Sequence, residues 1–246
     1  MIRSLFLAFS FLCLAVLPTR SGETVRVVAD EWPPFSGTEL PGRGISVDVI
    51  TQVLTRAGYD VKSDILPWAR IMAEAKSDSF DVVGSLFYDA DIATYMNYGE
   101  PFYQTEVKFL RRAGADHQVN GFEDLQQYSI AVGDGFLYAP AFDRAEDLNK
   151  IVVPTALQGI QMVAFDRADL TLDSVEVLQH SIADEGPDLA ERVELLPFVL
   201  ATHGIHMAVR KSHPQGQAIV ADFNRVLNEM KADGSLARVL SKHIQN

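Results

Sequence analysis

Trp32 and Phe35 flank Pro33-Pro34 directly after the β-rich run Val25–Asp30. A turn preset by two prolines at the carboxyl end of a strand offers aromatic faces on which a small molecule can stack. Packing of Trp32 beneath its own loop is the plain structural alternative. Arg70 follows Pro67, a favoured first residue of a helix. A guanidinium there adds to the exposed amides and the positive dipole end, so it is placed to meet an anion. A salt bridge to Asp64, Glu74 or Asp89 would use the same charge. Ser85 and Tyr88 bring hydroxyls to the end of the apolar run 80–87, and Asp173-Ser174 end the run "RADLTLDS". If Asp173 reaches a cleft, an amine-bearing or cationic ligand is favoured; its competing use is to cap the helix that follows.

This is the chemistry of binding rather than of catalysis. The six histidines are scattered, and His203 and His206 would pair on a metal only if helical, with no third ligand nearby. There is no Gly-x-Ser-x-Gly elbow, phosphate loop or dinucleotide fingerprint. The expectation is no enzyme, no metal and no cofactor.

The elements that must position these residues alternate. "ISVDVITQVLTRAG" (45–58) sets Val49, Val53 and Leu54 on one helical face and ends at a glycine. Strands are expected at 25–30, 59–66, 80–87, 107–112, 128–135, 150–154, 167–174, 193–200 and 204–211. Helices are expected at 67–77, 136–147, 155–166, from 175 to about 183, at 214–231 and at 234–243. Strands alternating with helices predict an α/β chain with mainly parallel sheets, in two lobes. The polar, glycine-bearing stretch 111–121 is expected to be one crossover and residues 200–205 the second. That gives residues 23–112 plus 206–246 as one lobe and 113–205 as the other, around a double-crossing hinge. Ligands in open α/β sheets bind outside the carboxyl ends of the strands.

The chain has 246 residues, 21 basic and 33 acidic. Residues 1–22 read as a secretory signal peptide: a basic start at Arg3, then the 14-residue apolar run "SLFLAFSFLCLAVL", shorter than the roughly 20 residues of a membrane span. The only cysteine, Cys13, lies in that run, so a processed chain has no thiolate chemistry. Without Arg3 and Arg20, 19 basic and 33 acidic residues remain, a charge of −14. Such a surface repels nucleic acid and anionic lipid.

Six segments in order carry a family resemblance: "ADEWPPFS", "GISVDVITQVLTRAGY", "FDVVGSLF", "NYGEPFY", "FEDLQQYSIAVGDG" and "FNRVLNEMKADGSLARVLSKH". Together they resemble family 3 of the periplasmic solute-binding proteins, and "PWARIM" is similar to a Pro-Trp-x-Arg branch of it. The resemblance implies a type II-like two-lobed fold that closes on a small polar solute: amino-acid-like, an amine or a small organic acid. It also implies a periplasmic, monomeric protein serving an ABC-type importer through a membrane permease, or alternatively a membrane sensor. A dehydratase for cyclohexadienyl acids on the same fold is a further alternative, with Glu100 or Asp173 as acid and Arg70 as clamp. By the same resemblance Ser85 and Tyr88 face a ligand amine. Phe136 lies in a glycine turn whose amides hold a carboxylate, and Asp173 adjoins the ammonium-pairing position. The departure is Ile92, which stands where the family's carboxylate-binding arginine is expected. A buried carboxylate without a partner costs several kcal/mol at least, so the usual amino-acid clamp cannot operate unchanged.

Overall fold

The computed structural model describes residues 22–244. The signal-peptide reading and Cys13 therefore fall outside the described residues, apart from Gly22. Among those described, no helix is long and apolar enough to cross a membrane.

The first strand, β1 (Thr24–Ala29), leads into the Trp32 turn, and α1 (Ile45–Arg56) follows. Gly44 joins the two. The amides of Ile45 and Ser46 donate to the carbonyls of Pro34 and Phe35 at 3.0 and 2.8 Å, so the turn caps the helix. A methyl group at Gly44 would stand 2.7 Å from the Phe35 carbonyl oxygen, and its φ of +94° is one that L side chains rarely adopt. At the other end Gly58 (φ +100°) completes a Schellman motif: Tyr59 N donates to Leu54 O and Gly58 N to Thr55 O. The apolar face expected from the sequence is buried, with Val49, Val53 and Leu54 at 0 % exposure. Each such side chain contributes about 1.5–3 kcal/mol.

β2 (Asp60–Ile65) and β3 (Val82–Leu86) run parallel to β1 on either side, with the short helix α2 (Trp68–Glu74) between them in sequence. β4 (Met96–Tyr98) is followed by β5 (Tyr103–Arg112). Next come β6 (Ser129–Gly133), α3 (Pro140–Arg144), β7 (Asn149–Val153), α4 (Ala156–Ala164), β8 (Leu170–Ser174), α5 (Val175–Glu185) and α6 (Pro187–Ala190). β6 is parallel to β7 and β8. The chain ends with β9 (Val193–Arg210), α7 (Gly216–Ala232) and α8 (Ser235–Ile244).

β9 joins two sheets. Its residues 206–210 pair antiparallel with β3 and β4, and its residues 193–205 pair with β5. The resulting strand order is β2-β1-β3-β9-β5-β8-β6-β7, with β4 on β9. Each half is thus a parallel trio bordered by antiparallel crossing strands. The runs 193–200 and 204–211, expected to be separate, form one 18-residue strand because β5 pairs with it through residue 205. Pro197 has no N–H to give the ladder and falls where the register shifts, between the Val199↔Lys108 and Leu195↔Leu110 pairs.

The first passage between sheets falls at residues 99–102, after β4 and ahead of the expected 111–121. Residues 111–121 instead close the far end of β5, where Ala113 N donates to Arg192 O at 2.8 Å. Their polar composition reflects a surface loop. Phe223, Val226, Leu227 and Met230 of α7 pack with the buried face of α1 on the first sheet. Phe109, Ile130, Phe142 and Leu170 form a core of the second.

Candidate functional site

A cleft lies between the two sheets, lined by eleven residues. Its walls come from the carboxyl ends of the parallel strands in both halves. Asp30 and Trp32 follow β1, Ser85, Leu86 and Phe87 end β3, Phe136–Tyr138 follow β6, and Asp173 ends β8; Trp68 and Ile92 complete the lining. Strand ends are where α/β sheets bind ligands.

The Trp32 turn is closed by Trp32 N to Ser36 O at 2.9 Å and Ser36 N to Trp32 O at 3.1 Å. It aims the indole across the cleft, where Nε1 donates to Asp173 Oδ1 at 3.2 Å. Trp32 also meets Phe35 (ring centroids 4.7 Å apart) and, edge-on, Phe87 at 5.4 Å; Phe87 in turn stacks on His203 at 4.3 Å. His203 Nε2 lies 2.5 Å from the Tyr138 carbonyl oxygen it donates to. Aromatic contacts therefore run from one half to the other along the hinge side of the cleft.

Asp173 is 3 % exposed. Its Oδ1 also accepts from Ser174 N at 2.7 Å. Ser174, not Asp173, occupies the N-cap position of α5, so capping is not the use of this carboxyl. Burial raises the Asp173 carboxyl to about 7, and the charges of Asp30 and Glu176 push the same way. Asp30, 7 % exposed, is likewise raised to about 7 by burial, with Glu31 adding to it. Removal from water disfavours the charged form of each. Ser85 is 5 % exposed, its Oγ has no hydrogen-bond partner, and its φ is +58°. Non-glycine residues in this region are strained by roughly 1–3 kcal/mol and cluster at functional sites.

The glycine turn after β6 is held by its own residues and by β7 and α3. Gly133 N donates to Tyr138 Oη at 2.7 Å, Asp134 N to Val153 O, Phe136 N to Gly133 O, and Tyr138 N to the Asp143 carboxylate. Burial raises the Tyr138 hydroxyl well above its usual range. Four amides of the turn expected to serve a carboxylate are thus occupied.

Of the residues singled out from sequence, the cleft brings together Trp32, Ser85, Phe136 and Asp173. Phe35 is fully buried behind Trp32 and lies outside the lining. Tyr88 is 59 % exposed and tilts against Tyr98. Arg70 is also outside the lining: its side chain is 59 % exposed and pairs with Glu74 one turn on at 2.9 Å, the competing use recognised in the sequence. Glu100 is held away by Asn228 and Lys231 of α7. His206 bonds the Gly99 carbonyl, and among the described residues no group of three or more His, Cys, Asp or Glu could hold a metal ion. Ile92 lines the cleft at 7 % exposure. Asp89 Oδ1 accepts the amides of Asp91 and Ile92 and so caps the turn that carries it. Sequence reasoning missed Asp30 and Tyr138. The signal for Asp30 was an acidic pair, Asp30-Glu31, directly after a β-rich strand.

The family description that matches residues 25–246 is "Bacterial extracellular solute-binding proteins, family 3". No curated protein sequence matches the chain. Among solved structures, the chain is similar to a histidine kinase sensor domain resembling periplasmic binding proteins (TM-score 0.80, 17% identity, covering 90% of this chain and 96% of that one). It is also similar to the GluR0 ligand-binding core from Nostoc punctiforme in complex with L-glutamate (0.75, 18%, 90% and 100%). A third is the ancestral amino-acid-binding protein AncCDT-1, a precursor of cyclohexadienyl dehydratase (0.72, 20%, 89% and 94%). At these identities the likeness is one of fold.

Proposed function

The chain belongs to family 3 of the bacterial extracellular solute-binding proteins, and on that premise we propose that it is a periplasmic receptor closing on one small solute for an ABC-type importer. The observation that carries this reading is the Trp32 to Asp173 hydrogen bond, which ties residues 141 apart in sequence across a cleft walled by both halves. A solute that touches both walls stabilises the closed arrangement because only there does it make both sets of contacts. Delivery to a membrane sensor uses the same closure and differs only in the partner that reads it. A dehydratase for carboxylate-bearing substrates is disfavoured, since none of the eleven lining residues is Lys, Arg or His.

The test is a thermal-shift screen of the chain without its leader against amino acids, amines, organic acids and small peptides. A solute at a hundredfold excess over its Kd adds about 2.7 kcal/mol to stability by mass action. At least one class is expected to raise the melting temperature. A flat response to all of them would contradict the receptor reading.

A further inference from the structure

We infer that the solute is an organic cation without a carboxylate, an amine on an apolar or aromatic body held between Asp30 and Asp173. The inference rests on the receptor reading and names its ligand class. Three observations point the same way. First, the cleft holds two buried carboxyls, one from each half, and no cationic side chain in its lining. Buried carboxylates are tolerated when paired, and a bound ammonium supplies the pair on closure. Burial holds both carboxyls near 7, so each exchanges a proton for such a cation at modest expense.

Second, Ser85 brings a hydroxyl that is buried, without a partner and in the lining of the same cleft. It can accept one ammonium proton while its own hydrogen turns elsewhere. The remaining walls are aromatic and apolar, from Trp32, Trp68, Phe87 and Phe136. Such faces attract a cation and cover the body that carries it.

Third, the cation and four of the turn amides that would receive a carboxylate are missing or engaged. Ile92 forms wall, Arg70 faces solvent on Glu74, and the amides of Gly133, Asp134, Phe136 and Tyr138 already donate to Tyr138 Oη, Val153 O, Gly133 O and the Asp143 carboxylate. A carboxylate brought into this cleft would meet two acids and no cation.

Calorimetric titration at pH 8 with matched sets tests this: isoamylamine, leucine and isocaproate; phenethylamine, phenylalanine and hydrocinnamate; tryptamine, tryptophan and indolepropionate. In at least one set the amine is expected to bind at least ~10-fold tighter than its amino acid, with the acid not binding, because an unpaired buried carboxylate is costly. Asp173→Asn, shown folded by its circular dichroism, is expected to weaken that amine at least ~10-fold, as loss of a charge-assisted bond does. Amino acids or acids binding as tightly as their amines, or amine binding untouched by Asp173→Asn, would overturn the inference and leave the receptor reading standing. Silence from all nine compounds, with a flat thermal-shift screen, would remove both.

Discussion

Asp173→Asn also tests the electrostatics of the empty cleft. The amide is isosteric, and its oxygen can still accept from Trp32 Nε1 and Ser174 N, so the geometry around Oδ1 is retained. What changes is titration. In the folded protein the Asp173 carboxyl keeps its proton up to about 7, against about 4 for a free aspartate. Between those values the unfolded chain binds fewer protons than the folded one, so stability falls as pH rises from about 4 to 7 and is level above that. A shift of this size corresponds to about 4 kcal/mol at most, and part of it is shared with Asp30 through their mutual repulsion. Asp30, Glu176 and the Tyr138 hydroxyl are the other titratable groups acting on the site. Below pH 5 the variant and the parent are expected to be of similar stability. At pH 8 the variant is expected to be more stable by about 2–4 kcal/mol. His206, lowered by burial, adds a slope of opposite sign below its ordinary value, but equally in both proteins, so it cancels in the difference. Urea unfolding at pH 4.5, 6 and 8 measures the gap. A gap that does not widen with pH, or a parent that gains on the variant, would refute the reasoning.

Trp32→Phe removes the N–H that crosses the cleft. At pH 8, where Asp173 is ionised, a loss of about 1.5–3 kcal/mol is expected from a bond to a charged acceptor, with a larger radius of gyration in small-angle scattering as the halves part. Ser85→Ala deletes a hydroxyl that has no hydrogen-bond partner within the protein; it should leave melting unchanged or slightly raised while weakening the solute about 5- to 10-fold, roughly one hydrogen bond, by calorimetry. Gly44→Ala places a methyl 2.7 Å from the Phe35 carbonyl in a left-handed conformation, so a loss of at least about 2 kcal/mol is expected in urea unfolding. Arg70→Ala, by contrast, removes only an exposed pair with Glu74; its effect on stability should stay within about 0.5 kcal/mol, and solute affinity should not move.

The periodic elements were legible because their residues agree locally with the fold. α1 shows this best: a glycine entry, an apolar face at helical spacing and a glycine exit are all in the sequence and all used. Failures came where tertiary pairing decided. A crossover was expected at 200–205, between the runs 193–200 and 204–211, but β5 pairs through it. The helix expected at 136–147 is only Pro140–Arg144, because Phe136–Tyr138 is kept as cleft wall by the bond from Gly133 N to Tyr138 Oη. Within the site, strand ends were readable and side-chain directions on helices were not. Arg70 has the right type and segment for an anion, yet its helical face turns it to solvent. Ile92 was visible from the sequence as a missing cation, and its place in the wall gives that substitution a physical consequence.

Both tryptophans of the chain, Trp32 and Trp68, line the cleft. Their emission therefore reports on this site and little else, which makes a fluorescence titration the most direct test of whether a solute binds between the halves. Any compound that raises the melting temperature is expected to change the emission saturably, with the midpoint that calorimetry gives. A compound that binds by calorimetry yet leaves both tryptophans unperturbed would be held elsewhere, and the cleft would not be the receptor site.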